Sequence, residues 1–474
     1  MYINGSWTDA EKKQTMEVIN PATNELIQET AKADETDAAK AVAAASTAFP
    51  GWKKTTAKER SSFLLRTAAI LREQTEELAE ILTAEMGKPL KEAKGEIGLG
   101  IDYLEWYAEE AKRAYGEIIP ASSSSKRLMV LKEPVGVVAA VTPWNFPVAM
   151  ITRKVAPALA AGCPIIVKPA SATPLSAMKI VEAFDKAGLP KGVLNLLIGS
   201  ASPIVGELMR SPEVRKITFT GSTEVGKKLI EQSAATVKKM SMELGGHAPF
   251  IVFEDADIDA AVEGVVNSKF RNAGQTCICT NRIYVQKSIE KTFLEKFTAR
   301  VKELQIGNGL EDGTDIGPLI DEGAVKKVQE HVADAVQKGG TVMYGGEQAS
   351  GCTSDKFYTP TVIADAKDSM LISTEETFGP VAPVFTFTTE KEAVERANHS
   401  DYGLAAYCFT KDIGRANRVM DGLEYGIIGI NDPIPTTAQA PFGGVKESGI
   451  GREGGRQGME EYLEDKFVSI GNIE

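Results

Sequence analysis

Between residues 135 and 244 the chain alternates short, unbroken apolar runs with helix-length amphipathic stretches, and this alternation constrains the fold more than any other feature. The apolar runs are 135–141, 165–167, 193–198, 217–219 and 240–244, with helical patterns between them over 150–161, 174–187, 203–210 and 225–232. A strand without polar alternation is buried on both faces, and parallel neighbours need a crossover long enough for a helix. The pattern predicts a parallel, doubly wound α/β sheet, which binds ligands beyond the carboxyl ends of its strands. A second alternation from about 245 to 437 predicts another α/β unit, with strands at 250–253, 283–285 and 384–387 and helices at 257–270, 289–304 and 324–337.

Ahead of these units, Asn4-Gly5 and Asn20-Pro21 mark turns in a hairpin-like entry. Asp34 caps an alanine-rich helix that Pro50-Gly51 ends. Long helical patterns follow over 59–86, up to Gly87-Lys88-Pro89, and from 97 to about 114. Four serines at 122–125 then lead into a strand-like run at 127–131, as a linker or as a turn between extended segments. At 474 residues the chain has room for about three domains of roughly 150 residues each.

A net charge of −12 argues against nucleic acid as the main partner, since phosphate binding needs a basic face. No run approaches the roughly 20 apolar residues of a membrane span, and no basic-then-apolar leader opens the chain, so no membrane and a cytoplasmic setting are expected. The five cysteines do not read as a disulfide framework. His247, His331 and His399 do not stand at ligand spacing and no Cys-x-x-Cys occurs, so no metal site is expected.

Three stretches carry candidate chemistry. In Arg271-Asn-Ala-Gly-Gln-Thr-Cys277-Ile-Cys279-Thr-Asn-Arg282 a cysteine follows a turn between a helix and a strand, with an arginine on either side. Nearby positive charge lowers a thiol pKa and favours the nucleophilic thiolate. A nucleophile and a structural cysteine in a polar loop fit this stretch equally well. Met242-Glu243-Leu244-Gly245-Gly246-His247 places a carboxylate at a strand end before two glycines, and Thr142-Pro143-Trp144-Asn145-Phe146-Pro147 adds a side-chain amide. Nucleophile, base and amide together suit attack on a carbonyl, activation of water and stabilisation of an oxyanion. At other strand ends Lys168-Pro-Ala170-Ser171 and Gly221-Ser222-Thr-Glu-Val-Gly226 suit a nucleotide, the second opening a helix whose N-terminus favours phosphate. The 221–226 stretch lacks the Gly-x-Gly-x-x-Gly spacing, so an ordinary strand–turn–helix explains that piece as well.

Met-Glu-Leu-Gly-Gly, Gly-Gln-Thr-Cys, Pro-Trp-Asn-Phe-Pro, Glu375-Glu-Thr-Phe-Gly-Pro380 and Pro441-Phe-Gly-Gly-Val-Lys-Glu-Ser-Gly449 resemble, in order and over most of the chain, the motifs of the aldehyde dehydrogenase superfamily. The resemblance implies an atypical Rossmann cofactor domain (1–117 and 136–244), an α/β catalytic domain (245–437), and an oligomerisation arm with a C-terminal tail (118–135 and 438–474). It implies that Cys277 attacks an aldehyde to give a thiohemiacetal, held by the Asn145 amide and the Cys277 backbone N–H. Hydride then passes to a nicotinamide, and Glu243 activates the water that hydrolyses the resulting thioester. It further implies that Pro143, Trp144, Lys168, Ala170, Ser171, Gly221, Ser222, Gly226, Leu244, Glu376 and Phe378 bind the cofactor, and that the chain forms a homodimer or homotetramer.

Where the family often carries an acid that would repel a 2′-phosphate, three residues after the lysine, this chain has Ser171; NADP is expected as cofactor, with NAD the alternative. Met150-Ile-Thr-Arg153-Lys and Phe270-Arg271 are similar to the succinate-semialdehyde dehydrogenase branch, in which two arginines grip the substrate carboxylate. Without the family, structural ion pairs or solvated faces explain Arg153 and Arg271 as well. Thr436 is the nearest match to a serine of that branch, in a proline-rich loop that departs from the pattern, which leaves glutarate semialdehyde or a broader aldehyde range open. Cys279 is either a packed thiol or the partner of Cys277 in a reversible redox switch. A cysteine-dependent hydrolase or acyltransferase, with His247 as the nearest base, is the alternative of another class.

Overall fold

The computed structural model describes residues 1–472. Its first sheet has eight strands, in the order Ser6–Trp7, Tyr2–Ile3, Leu194–Leu196, Ile165–Lys168, Val137–Val141, Val214–Thr220, Lys239–Glu243, Gly449–Ile450. From Leu194–Leu196 to Lys239–Glu243 the strands are parallel, and the connecting helices are Pro147–Ala161, Pro174–Lys186, Ala201–Arg210 and Thr223–Ser233. Along Val137–Val141 the residues alternate between two apolar cores. Val138 and Ala140 face the helices Ala57–Glu73, Leu90–Glu110 and Pro147–Ala161, while Val137, Ala139 and Val141 face Glu35–Trp52 and Ala201–Arg210. Burial on both faces is why these runs lack polar alternation, each buried Val or Ile contributing roughly 1.5–3 kcal/mol.

The second sheet has seven strands, in the order Thr341–Tyr344, Thr361–Ala364, Val381–Phe387, Thr280–Gln286, Ala248–Val252, Ala405–Phe409, Ile427–Ile430; only the Thr341–Tyr344 edge is antiparallel. The chain passes between the sheets at Gly245-Gly246. A Cβ on Gly246 would lie 2.2 Å from the Cys277 carbonyl oxygen, so the glycine lets the end of one sheet touch the thiol loop of the other. A separate three-stranded sheet joins Glu117–Ile119, Arg127–Pro134 and Leu463–Ile470, paired from Leu463↔Pro134 to Ile470↔Arg127. Its strands leave Ile118, Leu131, Phe467 and Ile470 exposed. Residues 473–474 of the expected tail lie outside the described residues.

The expected hairpin turn at Asn4-Gly5 is present, both residues taking positive φ. Some helix boundaries differ from expectation. The helix capped by Asp34 runs through Pro50 to Trp52, because Trp52 buries its ring in the core. The pattern over 59–86 is two helices, Ala57–Glu73 and Thr75–Met86, meeting at a bend at Gln74 that no glycine or proline marks. The next helix starts at Leu90, seven residues early, since Pro89 presets the entry and Glu92 and Glu96 point inward.

Candidate active site

Cys277 follows a left-handed run in which one residue, Ala273, goes against its own preference. Asn272, Ala273 and Gly274 all have positive φ, at 53°, 53° and 75°. An alanine there is strained and persists only where its surroundings over-determine it. Asn272 N–H donates to Glu92 (2.8 Å), and its Nδ2 donates to the carbonyls of Asn145 (3.1 Å) and Gln275 (3.2 Å). Gln275 Nε2 donates to Asn272 O (3.1 Å) and Pro318 O (3.3 Å), while its Oε1 accepts from Ile320 N–H (2.9 Å). Asn145 Nδ2 donates to Gln275 O (3.0 Å), tying the amide to the thiol loop.

Two cavities meet at this thiol, and Cys277 lines both. One, of about 280 Å³, is bordered by Arg153, Arg271 and Thr436 with Phe146, Ile434 and Phe442. The other, of about 330 Å³, is bordered by Pro143, Trp144, Asn145, Gly221, Ser222, Leu244, Glu376 and Phe378, and by Lys327. Lys168, Ala170, Ser171 and Gly226 lie outside it. Lys168 ends the strand Ile165–Lys168, donates to Pro169 O (2.8 Å), and is lowered to about 8 by burial. Ser171 Oγ donates to Gly199 O (2.9 Å). A Cβ on Gly226 would meet Leu244 at 2.4 Å, so this glycine serves close packing of helix on strand.

The electrostatics correct one expectation. Neither flanking arginine activates the thiol: Arg282 is buried and donates to the carbonyls of His247 (3.0 Å) and Ala397 (2.9 Å) and to Tyr425 Oη (2.9 Å). Arg271 stacks over Phe146 at 5.1 Å and has no ion-pair partner among the described residues. The charge that favours the thiolate is Arg153, while desolvation, Glu376 and Glu243 oppose it, and desolvation prevails, pushing Cys277 up to about 12. The resting thiol is therefore protonated. Arg153 itself is buried, stacks on Phe442 (4.3 Å) and pairs with Glu453, which also pairs with Lys154. Burial, and then the Glu453 charge, hold the Glu243 carboxyl well above the usual range, against the pull of Arg153, Lys154 and Arg452. Glu243 Oε2 is buried without a partner.

Cys279 is buried, donates to Gly274 O (3.2 Å) and accepts from Lys269 Nζ (3.6 Å), and burial raises its thiol. His247 is buried against Tyr402 (6.2 Å), with desolvation and then Arg282 holding it far below the usual imidazole range. No histidine borders either cavity. The sequence reading missed Lys154, Glu453, Lys88, Glu96, Gln275 and Lys327. Only the Gly451-Arg-Glu453-Gly-Gly turn offered a local signal, a carboxylate among glycines.

The larger cavity suits a nicotinamide nucleoside. Trp144 and Phe378 meet edge to face (5.6 Å, 88°) as an apolar wall. Glu376 accepts from Gly246 N–H (3.2 Å) and is raised to about 7 by burial, and a Cβ on Gly245 would stand 3.1 Å from its Oε2. A residue larger than glycine would thus fill the space beside that carboxylate.

A thiol between a nucleoside-sized cavity and a smaller, arginine-bordered one suits nucleotide-dependent chemistry on a carbonyl compound. The sequence matches the aldehyde dehydrogenase family over residues 7–468, and the chain belongs to that family. It is 53% identical to a 3-sulfolactaldehyde dehydrogenase of Pseudomonas putida (100% of this chain, 97% of that one) and 52% identical to a glutarate-semialdehyde dehydrogenase of the same species (99% and 97%). It is 51% identical to an NADP-dependent succinate-semialdehyde dehydrogenase of Escherichia coli (99% and 97%). The crystal structure of succinate-semialdehyde dehydrogenase from Burkholderia pseudomallei, 50% identical, superposes with a TM-score of 0.98 over 99% of this chain and 97% of that one. The chain is an NAD(P)-dependent enzyme that oxidises an aldehyde to its acid.

Proposed function

We propose that the aldehyde carries a second, anionic group at its far end, that succinate semialdehyde is the main substrate, and that NADP is preferred over NAD. The observation that carries this reading is the pair of unequal arginines in the smaller cavity. Arg153 shares Glu453 with Lys154, whereas Arg271 has no ion-pair partner among the described residues, and Thr436 Oγ1, on the border of the same cavity, is buried without a hydrogen bond. A cation and a hydroxyl bordering a cavity that a thiol also lines suit an acid aldehyde. Three relatives named for acidic aldehydes support the class. Glutarate semialdehyde is the closest competitor.

In this reading Cys277 Sγ bonds to the aldehyde carbon. The thiol proton passes to bulk water, and the Asn145 amide and the Cys277 N–H donate to the oxygen as it gains charge. A nicotinamide bound in the larger cavity would accept hydride from that carbon, which leaves a thioester on Cys277. Trp144 and Phe378 would hold its ring, Glu376 its ribose, and the Ser222 helix end its phosphates. Glu243 next takes a proton from water, whose oxygen bonds to the thioester carbon; the C–S bond breaks and the acid leaves. Ser171 supports NADP because it brings no charge against a 2′-phosphate, with Lys168 nearby.

The two-sheet division supports a cofactor domain at 1–117 and 136–244 and a catalytic domain at 245–437. Exposed Ile118, Leu131 and Phe467 on the arm support a homodimer or homotetramer, and five unpaired cysteines support a reducing, cytoplasmic setting. Initial rates with succinate semialdehyde, glutarate semialdehyde and butanal, each with NADP and NAD, test the reading. A large preference for an acid aldehyde with NADP is expected; equal rates for butanal would remove the anion-recognition claim.

A further inference from the structure

Two buried charges beside the site take no part in the chemistry above. Lys88 follows Gly87 in the turn before the helix Leu90–Glu110, Glu96 lies on that helix, and their fully buried Nζ and Oε2 are 2.5 Å apart. Apolar packing of equal volume is commonly as stable as a buried ion pair, so the pair alone explains little. Its remaining contacts explain more. Lys88 Nζ also donates to the Asn145 carbonyl (2.7 Å) and sits 3.8 Å from the centre of the Phe146 ring. Glu96 Oε1 accepts the N–H groups of Val148 (2.7 Å) and Ala149 (3.1 Å), the first turn of the helix Pro147–Ala161. That helix has no side-chain cap from its own preceding residue, so Glu96 supplies one from another element. The pair thus grips the chain at 145, 146, 148 and 149. Asn145 is the residue gripped most tightly, its carbonyl shared by Lys88 and Asn272 and its amide bonded to Gln275 O, with one N–H to spare.

We infer that Lys88 and Glu96 are positioning residues for the oxyanion amide: they fix the Asn145 backbone so that its free N–H meets the oxygen of an aldehyde bonded to Cys277. This rests on the proposed role of Asn145 as oxyanion donor. Misplacing such a donor by about 1 Å costs on the order of a hundredfold in rate. Glu96 borders the smaller cavity, but neither residue has a bond to substrate or cofactor in this scheme, so loss of the pair lowers kcat far more than it changes KM.

A double-mutant cycle tests it. Lys88→Met/Glu96→Gln removes both charges together and keeps an acceptor for the Val148 and Ala149 amides. It is measured with Asn145 intact and in Asn145→Ala, by steady-state kinetics with succinate semialdehyde and by thermal unfolding. The expected result is a kcat loss of roughly 10- to 100-fold with Asn145 present and less than about threefold without it, with KM within about twofold in both. Equal losses in the two backgrounds, which a purely structural role produces, would overturn the inference. Should Asn145→Ala alone leave kcat intact, the reading of Asn145 fails, and the inference with it. If the paired variant does not unfold cooperatively, Lys88→Arg, which keeps the charge and moves the donor, goes through the same cycle with the same two outcomes.

Discussion

Replacing Arg271 by Gln separates recognition of an anion from mere shape. The guanidinium borders the smaller cavity, stacks on Phe146 and meets no carboxylate among the described residues within ion-pair distance. A hydrogen bond to a charged group contributes about 1.5–3 kcal/mol. Arg271 is half-exposed, and solvent weakens such a contact, so the lower part of that range applies. About 2 kcal/mol corresponds to roughly a 30-fold loss in kcat/KM for succinate semialdehyde, carried mainly by KM. Butanal, with nothing for the guanidinium to bind, is expected to lose less than about threefold, since the Phe146 wall survives. Arg153→Gln behaves differently. It leaves Glu453 buried with Lys154 alone, so a fall in melting temperature dominates, worth about 3–5 kcal/mol for a broken buried pair. Steady-state kinetics on both aldehydes, beside thermal unfolding, checks both claims. Equal losses on the two aldehydes in Arg271→Gln would refute the reasoning.

Cys277→Ala is expected to abolish aldehyde oxidation; turnover surviving under mass-spectrometric proof of the substitution would move the nucleophile elsewhere. Glu453→Gln removes a charge that raises Glu243, so the rising limb of kcat against pH is expected to move to lower pH, and an unmoved limb would separate the two carboxylates. Glu85, buried and accepting from Leu175 N–H (2.7 Å) and Ser176 N–H (2.9 Å), is raised by burial from 4.5 to about 7. The folded protein then holds that proton more tightly than the unfolded chain, so Glu85 favours folding at low pH and this contribution is lost as pH rises from 4.5 to about 7. Glu85→Gln should flatten that decline in denaturant titrations at successive pH values; an identical decline would contradict it. Ser171→Glu is expected to turn the cofactor preference from NADP towards NAD, read as the ratio of the two kcat/KM values, and an unchanged ratio would show that Ser171 does not face the 2′-position.

The parallel core of the first sheet was legible in the sequence because burial on two faces leaves apolar runs such as Val137–Val141, whereas Thr341–Tyr344 and Thr361–Ala364 of the second sheet were not read as strands. The cavity borders at Pro143, Trp144, Asn145, Gly221, Glu376 and Phe378 were legible as motifs, since backbone turns and side chains act there within a few residues. Charge relations were not. Arg282 stands near Cys277 in sequence yet spends its donors on carbonyls at 247 and 397, and the charge that favours the thiolate comes from Arg153, on a helix of the other sheet. Lys88, Glu96, Lys154 and Glu453 act across the fold, and nothing in the residues around Lys88 or Glu96 announces a partner at 145 or 148. The left-handed run at 272–274 was hidden as well, because Ala273 is set by the contacts that hold its neighbours rather than by its own preference.

In this scheme Cys277 carries the acyl group between the two cavities. The most direct measurement is a single turnover of Glu243→Gln with succinate semialdehyde and NADP, quenched and analysed by peptide mass spectrometry while reduced nicotinamide is followed by absorbance. One burst of reduced nicotinamide per active site is expected, with a succinyl group on Cys277 that water removes slowly. A burst with Cys277 unmodified, or with the acyl group on Cys279, would contradict it.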